Sequence, residues 1–294
     1  MRIFVTGATG FIGSAIVKEL LAAGHQVLGL TRSDAGARAL ESIGADVHRG
    51  DIDKPDTLRR GAEQADGVIH TAFNHDFSTF VANCETDRQV INAMGDALAG
   101  SDRPFIITSF VAMGAGTPGQ LATEDNINLE TRHPRKASEL AGMAVEQRGV
   151  NVSFVRLPQV HNPEKQGLIS PLIELAREKG VSAWVDEGQN RWAAVHLNDA
   201  ARVYVKALEK RQAGSRYHAV AEEGITMRTI AETIGRGLNV PVKSIAADDA
   251  AAHFGWLSAF VSQEMSASGA LTQQRLGWQP EGPGLIASLT AMKY

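Results

Sequence analysis

The 294-residue sequence predicts an α/β fold, with a doubly wound parallel sheet and a smaller C-terminal α/β lobe. Through the first half of the chain, short apolar and β-branched runs alternate with longer helical patterns, which is typical of successive strand-helix-strand units. The first of these runs leads directly into a glycine-rich turn, and an amphipathic helical pattern follows that turn. Beyond about Pro163 the predicted segments become shorter and less regular.

Six strands are predicted in the first half, over residues 3–6, 26–30, 46–49, 67–70, 105–108 and 152–156. After the first strand, Ile12, Ile16 and Leu20 lie on one face of a helix that ends at Gly24. The second half is predicted to hold helices over 171–179, 198–211 and 226–238 and strands over 215–220 and 242–245. Because no linker or low-complexity tract separates the halves, we divide the chain into a sheet domain, 1–162, and a lobe, 163–294, partly interleaved with the sheet.

Composition and charge exclude several classes of protein. The 29 Lys and Arg residues and 33 Asp and Glu residues give a net charge of −4 without a basic run, so nucleic-acid binding is not expected. Cys84 is the only cysteine, which excludes an intramolecular disulfide and suits a reducing compartment. No stretch approaches the ~20 apolar residues of a membrane span, and a strand predicted at residue 3 leaves no room for a signal peptide. We therefore expect a cytoplasmic monomer or homodimer that acts on a small molecule.

The strongest motif is the glycine turn at residues 6–13, which reads Thr-Gly-Ala-Thr-Gly-Phe-Ile-Gly. Gly7 permits the tight turn, Gly10 lets the backbone approach a pyrophosphate, and Gly13 lets the helix pack closely on the sheet. The helix N-terminus supplies free N–H groups and the positive end of its dipole. With a strand before it and a helix after it, the motif predicts a dinucleotide site. The other turn residues expected at this site are Thr9, Phe11 and Ile12.

The segment after the second strand predicts which dinucleotide binds. NAD-binding proteins place an acid there for the ribose 2′-hydroxyl, whereas this chain has Arg32 between Thr31 and Ser33. A guanidinium binds a 2′-phosphate bidentately, and neighbouring hydroxyl groups add further donors. We therefore predict NADP(H) rather than NAD(H). The alternative is that Arg32 is a solvated surface residue of a loop.

Two further segments are predicted to contact the cofactor. Asp51 is placed to accept from the adenine amino group, with Ile52 against the ring. The segment Thr71-Ala72-Phe73 follows the fourth strand, where small residues let the chain pass close to the cofactor. As an alternative, Asp51 or Asp53 caps the next helix, because Asp is a preferred N-cap.

Several more blocks of sequence occur in the order typical of one family. They are Gly50-Asp51-Ile52, Ile106-Ile107-Thr108-Ser109, Val155-Arg156-Leu157-Pro158, Val195-His196-Leu197-Asn198-Asp199-Ala200 and Leu276-Gly277-Trp278-Gln279-Pro280. With the glycine turn, they make the chain resemble the extended short-chain dehydrogenase/reductase family, also called the NAD-dependent epimerase/dehydratase family. The resemblance implies a Rossmann domain that binds the dinucleotide and a C-terminal lobe that closes the substrate pocket. It also implies cofactor contacts from Thr108, Leu157, Pro158 and Val160.

The catalytic residues of typical members are only partly present. Such members have a Ser or Thr after the fifth strand, then a Tyr-Gly pair, and then a Tyr-x-x-x-Lys pair that opens the next helix. Ser109 occupies the first position, where the resemblance implies a hydrogen bond to a substrate oxygen, but Met113-Gly114 replaces Tyr-Gly. The three tyrosines, at positions 204, 217 and 294, all lie far downstream. The chain therefore resembles atypical members in which basic residues occupy the usual pair.

Two alignments of that helix remain open. In one, fixed by Glu139, Thr131 replaces the tyrosine and Arg135 replaces the lysine. In the other, Lys136 is the retained lysine and Arg132 replaces the tyrosine. The missing phenol matters because it donates the proton, whereas an arginine polarises an oxygen or holds the nicotinamide ribose but hardly donates a proton.

We therefore predict that Arg135, or else Lys136, supplies the electrostatic part of the missing pair. The proton would come from Ser109 through water, from His133 or from His161. Each histidine has a structural role as its alternative. His133 precedes a proline at a predicted helix start, where an exposed histidine is ordinary, and His161 is placed to pack beneath the lobe.

Other chemistries find less support. His70, His75 and Asp76 lack the paired spacing of a metal site, so no metal is predicted. Ser109 lacks the Gly-x-Ser-x-Gly surroundings of an esterase nucleophile. Weaker candidates for the substrate pocket are Phe73, Met113, Trp192 and His196, and for the aromatic and Met residues core packing is the alternative.

The sequence thus predicts an atypical NADP(H)-dependent oxidoreductase that reduces a ketone, or oxidises the matching alcohol, of a small to medium organic substrate. One alternative is a non-catalytic NADP(H)-binding sensor or regulatory protein that has lost catalysis with the tyrosine. The retained Ser109 and the substantial lobe favour the enzyme. The other alternative is an epimerase or dehydratase, which uses the same hydride step and recycles the cofactor.

Overall fold

The computed structural model describes residues 1–117 and 119–294. Its centre is a sheet of seven strands: β1 Arg2–Thr6, β2 Gln26–Thr31, β3 Asp46–Arg49, β4 Gly67–His70, β5 Pro104–Phe110, β6 Asn151–Leu157 and β10 Arg216–His218. All neighbours are parallel, in the spatial order β10, β6, β5, β4, β1, β2, β3. The strand order reverses between β1 and β4, and ligands of doubly wound sheets bind outside the carboxyl ends of the strands at such a point.

Helices cover both faces of this sheet. They are α1 Phe11–Ala22, α2 Asp34–Ser42, α3 Pro55–Glu63, α4 Phe80–Leu98, α5 Lys136–Gln147 and α7 Leu197–Lys210. The alternation along β1 fills both layers, because Phe4 packs with α3, α4 and α5 whereas Ile3 and Val5 pack with α1 and α7. All three side chains are fully buried, as expected for a parallel sheet covered on both faces. The predicted doubly wound α/β fold is confirmed.

The C-terminal lobe has two small sheets. The strands β7 Gln159–His161, β9 Arg191–His196 and β11 Glu222–Thr226 form one, with β9 in the middle, and β8 Ser182–Val185 pairs with β12 Val242–Ile245. The lobe helices are α6 Ile169–Lys179, α8 Met227–Leu238, α9 Ala250–Phe254, α10 Ser258–Val261, α11 Ala270–Leu276 and α12 Leu285–Ala291. A separate apolar cluster that includes Trp192 and Phe254 forms the core of the lobe.

The chain crosses between the central sheet and the lobe more than once. Strand β7 precedes residue 163 but pairs with β9, whereas α7 and β10 follow residue 163 and join the central sheet. Tyr204 of α7 and Tyr217 of β10 are buried in the core of that sheet. Strands β7, β8, β9 and β11 do not appear in the sequence prediction. Each has only three to six residues, and β7 and β11 consist mostly of polar residues and glycine.

Short helical turns lie beyond the carboxyl ends of β4 and β5. The 3-10 helices Phe77–Thr79 and Val111–Gly114 follow these two strands, and Gly255–Leu257 lies between α9 and α10 of the lobe. Within the part of the chain that the structure describes, no helix has both the length and the apolar character needed to cross a membrane.

Candidate dinucleotide and substrate site

The glycine turn joins β1 to α1 with almost no free space around its backbone. Gly7 has a φ of +68°, and a Cβ there would lie 2.7 Å from the Thr71 Oγ1 atom. A Cβ on Gly13 would overlap the carbonyl group of Gly7, so the start of α1 packs against the turn only because residue 13 is glycine. Gly10 is the N-cap of α1 and has no side-chain cap, which leaves first-turn N–H groups free for an anion.

The segment after β4 is fastened to the end of β1. The backbone N–H groups of Thr71 and Ala72 donate to the Thr6 Oγ1 atom at 3.1 and 3.2 Å. In return, the Thr71 hydroxyl donates to the Thr6 carbonyl at 2.7 Å. These bonds hold the predicted cofactor segment, residues 71–73, directly beside the glycine turn. Of the turn residues, Thr9 and Gly10 are exposed, and Phe11 and Ile12 are half-buried.

Arg32 lies just before the N-terminus of α2 at the end of β2. Its side chain is 77% exposed, and its Nη1 atom is 3.9 Å from the Asp51 Oδ2 atom. The Ser33 Oγ atom accepts from the Gly36 N–H at 3.0 Å and so caps α2, while Thr31 is buried. Asp51 accepts from the Asp53 N–H at 3.2 Å, and the N-cap of α3 is Lys54 without a side-chain cap. The alternative role of Asp51 or Asp53 as the cap of α3 is therefore wrong.

A buried chain of hydrogen bonds runs from β1 to the segment that opens α5. Because the Thr6 hydroxyl oxygen already accepts two N–H bonds, it donates its hydrogen to the His70 Nδ1 atom at 2.6 Å. The Nε2–H of His70 then donates to the Asp87 Oδ1 atom at 3.0 Å. The other oxygen of Asp87 accepts from Arg135 at 2.7 Å and from the Ser138 hydroxyl.

Arg135 is held tightly by this chain. Its side chain is 12% exposed, pairs with Asp87, donates to Ser138 at 2.7 Å, and lies over the Phe73 ring at 3.8 Å from the ring centroid. Burial alone would raise the pKa of Asp87, but the charge of Arg135 and the hydrogen bonds lower it to about 2. Lys136, the alternative basic residue, instead donates to the Leu129 carbonyl at 3.2 Å. Of the two basic residues, Arg135 is therefore the one that contacts the predicted cofactor segment.

His133 lies among aromatic rings immediately before Arg135. Its ring centroid is 4.5 Å from that of Phe110 and 5.6 Å from that of Phe80. Burial and the nearby charge of Arg135 lower the pKa of His133 to about 4, so the imidazole is neutral near pH 7. Its Nδ1 atom accepts from the Arg135 N–H at 3.2 Å, which leaves the hydrogen on Nε2. Among the described residues, that Nε2–H has no hydrogen-bond partner.

Ser109, at the end of β5, is engaged inside the protein. Its side chain is 3% exposed, and its hydroxyl donates to the Glu139 Oε2 atom at 2.7 Å. Glu139 also accepts from Arg156 and Arg216; despite burial, these bonds hold the pKa of Glu139 below its usual range. The expected hydrogen bond from Ser109 to a substrate oxygen is not available in this conformation, because the hydroxyl has one hydrogen and donates it to Glu139.

The remaining predicted residues lie at the ends of strands, in the core or at a helix cap. The Thr108 hydroxyl donates to the His70 carbonyl at 2.7 Å, whereas Leu157 and Pro158 are half-buried and Val160 is buried where β6 leads into β7. His161 is buried, and its Nδ1 atom is 2.9 Å from the Ser288 Oγ atom. Among the weaker candidates for the substrate pocket, Met113 and Trp192 are fully buried and pack in the core. His196 is the N-cap of α7.

Sequence reasoning missed Asp87 and Ser138, which hold Arg135 in place. A signal was present, because Asp87 lies on the buried face of α4 with Asn83, Val90 and Met94. A carboxylate on an apolar helix face requires a partner. Nor does Tyr204 replace the missing phenol: it is fully buried, its hydroxyl is 2.8 Å from the Thr108 Oγ1 atom, and burial raises its pKa. Among the described residues, no group of three His, Cys, Asp or Glu side chains is arranged to hold a metal ion.

Residues 3–221, about three quarters of the chain, match the NAD dependent epimerase/dehydratase family. The chain belongs to this family. An uncharacterised protein of Schizosaccharomyces pombe is 47% identical over 295 residues and covers 100% of both chains. An uncharacterised protein of Saccharomyces cerevisiae is 42% identical over 299 residues, with 99% of this chain and 98% of that protein covered.

Solved structures share the fold. The structure of Thermus thermophilus UDP-glucose 4-epimerase in complex with NAD has a TM-score of 0.76 at 18% identity, and it covers 100% of this chain and 98% of that one. Membership of the epimerase/dehydratase family, together with the glycine turn, indicates a nicotinamide-nucleotide-dependent enzyme of the short-chain dehydrogenase/reductase type. The family match ends before most of the lobe, so it says little about the residues that select the substrate.

Proposed function

We propose that this protein is an NADP(H)-dependent oxidoreductase that reduces a ketone, or oxidises the matching alcohol, with His133 and Arg135 in place of the missing tyrosine and lysine. The observation that carries the proposal is the state of His133, a neutral imidazole whose Nε2–H has no partner among the described residues. A hydrogen-bond donor left free beside a predicted nicotinamide site is what carbonyl reduction requires.

The preference for NADP(H) over NAD(H) rests on Arg32. Arg32 directly precedes Ser33, the N-cap of α2, and its guanidinium is exposed and makes no close ion pair within the described part of the chain. The 3.9 Å approach of Asp51 is loose enough for the guanidinium to turn toward a 2′-phosphate. Gly7, Gly10 and Gly13 would hold the pyrophosphate, and the segment after β6, including Pro158, would hold the nicotinamide.

Bound NADPH supplies the hydride. As the carbonyl carbon is reduced, negative charge develops on its oxygen, and the Nε2–H of His133 is proposed to donate a hydrogen bond to that oxygen. A neutral imidazole acts here as an electrophile and not as a strong acid, so the proton would come from solvent through a water molecule, and the hydroxide left behind would return to solvent. Arg135 is held by Asp87 and Phe73 and would supply the ribose-holding and electrostatic part of the missing pair, with much of its charge offset by Asp87. The aromatic rings beside His133 lower the local dielectric constant, which strengthens the hydrogen bond to the substrate oxygen.

Some characterised relatives support reduction of a carbonyl group. Vestitone reductase of Medicago sativa is 29% identical over 248 residues, and a ketoreductase of Stigmatella aurantiaca is 24% identical over 270 residues. UDP-glucose 4-epimerase of Streptomyces lividans is 26% identical over 325 residues. An epimerase regenerates its cofactor within each cycle, so net consumption of NADPH separates the two chemistries.

Two substitutions at one position test the role of His133. His133→Phe keeps a ring in the aromatic surroundings but removes the donor, and His133→Gln keeps an N–H donor. With NADPH and a panel of ketones, we expect single-turnover hydride transfer to fall on the order of 10²-fold in His133→Phe and less in His133→Gln. His25→Phe is the matched control, because His25 lies just before the amino end of β2 and contacts Glu209, and it is expected to keep the wild-type rate. Equal rates in wild type and His133→Phe would contradict the proposal.

A second candidate function is a non-catalytic NADP(H)-binding sensor. The observation in its favour is the Ser109 hydroxyl, which is committed to Glu139 and leaves the site with one donor fewer than the resemblance implies. Tight NADPH binding by calorimetry, together with no NADPH consumption across ketones and no exchange of the nicotinamide hydride, would favour the sensor.

A further inference from the structure

Six aromatic side chains from four separate segments meet beyond the carboxyl ends of β4 and β5. We call this group the aromatic wall, and its members are Phe77, Phe80, Phe110, His133, Trp256 and Phe260. Phe77 and Phe80 follow β4, Phe110 ends β5, and His133 precedes α5. Trp256 and Phe260 come from the lobe, so the wall joins the two parts of the molecule at the proposed site.

The wall begins as a column of stacked rings. The rings of Trp256 and Phe77 are 4.3 Å apart between centroids and 17° from parallel, and Phe77 lies 5.3 Å from Phe80 at 29°. Phe260 meets Phe77 edge-on at 5.8 Å. His133 then meets Phe80 edge-on at 5.6 Å. An apolar path therefore leads from Trp256 to the proposed hydrogen-bond donor.

The outer end of the wall is open. Trp256 is 45% exposed, whereas Trp184, Trp192 and Trp278 are buried. One face of its indole is covered by Phe77, which leaves ring surface available for another flat molecule. An exposed indole beside other aromatic rings is typical of a binding surface, because aromatic pairs gain both from apolar burial and from the geometry of stacking.

The charge on Arg135, beside the wall, is already paired. Arg135 pairs with Asp87 and lies over Phe73, and Lys136 donates to the Leu129 carbonyl. A phosphate group of a nucleotide sugar would have to compete with these partners, whereas an apolar ring would not. The wall therefore favours an uncharged aromatic group over a charged one.

We propose that the aromatic wall binds a flat aromatic ring of the substrate at the exposed face of Trp256 and that a carbonyl group elsewhere in the same molecule reaches His133 along the wall. The substrate class is thus a ketone that carries an aromatic ring apart from its carbonyl group, or the matching alcohol. The carbonyl part rests on the proposed function, but ring binding does not, because stacking requires no hydride.

Two bicyclic ketones with the same carbon skeleton test ring binding. 1-Tetralone has one aromatic ring, and 1-decalone is fully saturated. Calorimetry uses the whole protein saturated with NADP⁺, which cannot reduce a ketone, so binding is measured without turnover. We expect 1-tetralone to bind at least tenfold more tightly than 1-decalone, a difference of about 1.4 kcal/mol, which one or two aromatic pairs readily supply.

Leucine variants remove the rings while keeping much of the apolar volume. In Trp256→Leu and Phe77→Leu we expect the preference for 1-tetralone to fall below threefold, with NADP⁺ affinity unchanged. Val242→Leu, an exposed position of β12, is the control and should keep the tenfold preference. The Trp256→Phe variant retains a ring and should retain most of the preference. Thermal unfolding of each variant identifies any that fails to fold. The variants that fold then show whether the rings of the wall cause the preference for 1-tetralone.

Each outcome separates ring binding from catalysis. Equal affinity of the wild type for both ketones, or an unchanged preference in both leucine variants, would overturn the role of the wall. UDP-glucose binding that displaces 1-tetralone with tighter affinity would overturn the substrate class. If 1-tetralone binds as expected but NADPH does not reduce it or any other ketone, the proposed function is contradicted while ring binding by the aromatic wall is supported.

Discussion

Asp87 is the residue at which the buried hydrogen-bond chain is most easily broken. Its carboxylate is 4% exposed and accepts from three donors, on His70, Arg135 and Ser138. Asp87→Asn keeps the size of the side chain but replaces one oxygen with an NH₂ group. Since all three partners are donors, the amide nitrogen faces a donor in either orientation, and Arg135 loses its counter-ion.

The expected loss of stability follows from burial. Removing one partner of a buried ion pair lowers the free energy of unfolding by roughly 3–5 kcal/mol. Arg135 keeps some solvent contact, and Asn retains one good hydrogen bond, so we expect about 3 kcal/mol. Because the folded pKa of about 2 lies below the ordinary 3.8, this carboxylate stabilises the fold above pH 4 and loses that effect as pH falls toward 2. Lowering the pKa from 3.8 to about 2 corresponds to about 2 kcal/mol.

Urea unfolding of four proteins measures the coupling between Asp87 and Arg135. The set is the wild type, Asp87→Asn, Arg135→Met and the double variant. We expect a coupling energy of about 2 kcal/mol, so that Asp87→Asn costs much less stability once Arg135 is gone. NADPH affinity and single-turnover rate should fall in Asp87→Asn even under conditions where it is fully folded. Additive stability changes, or wild-type NADPH affinity in folded Asp87→Asn, would refute the reasoning.

Three other predictions follow from the site and its surroundings. NADP(H) should bind at least tenfold more tightly than NAD(H), about 1.4 kcal/mol, and Arg32→Asp should abolish this preference; equal calorimetric affinities in the wild type would contradict it. Ser109→Ala removes one hydrogen bond to Glu139, so unfolding free energy should drop by about 1–2 kcal/mol while turnover changes less than tenfold; a 10²-fold loss of turnover would instead indicate contact with substrate. Burial, with His196 nearby, lowers the pKa of His161 to about 4, and burial, with Arg156 nearby, lowers the pKa of His218 to about 3; both lie below the unfolded value of 6.5. Stability should therefore fall between pH 6.5 and 4 by up to about 1.4 kcal/mol per pH unit for each histidine, and His161→Gln should flatten the pH profile of chemical unfolding.

The fold of the central sheet was predictable because its signals are local. Gly7 follows β1 and Gly13 lies in the first turn of α1. Their close contacts require glycine at both positions, which makes the motif recognisable in the sequence. The lobe was harder, because β7 and β8 are short and their pairing partners β9 and β12 lie far along the chain. Short strands of this kind depend on tertiary contacts and not on local pattern.

The candidate site, too, was only partly predictable from local sequence. Arg135 was found from its spacing before Glu139, but its burial against Asp87 and Phe73 depends on contacts across 48 and 62 residues of sequence. A histidine with an ordinary pKa near 6.5 would, as a proton donor, give the pH-rate profile a limb near pH 6 to 7. The aromatic surroundings lower the pKa of His133 to about 4, so that limb belongs near pH 4. Nothing in the local sequence reveals these rings, because they come from α4, β5 and the lobe.

The return of the chain to the central sheet has a consequence for folding and truncation. Strand β10 pairs with β6 across about 62 residues, so the sheet cannot be completed until most of the chain has left the ribosome. A fragment that ends at residue 162 would lack Tyr204 and Tyr217, expose the face that α7 covers, and leave β6 as an unpaired edge. Such an edge recruits other strands, so we expect the fragment to aggregate during expression and not to behave as an isolated nucleotide-binding module.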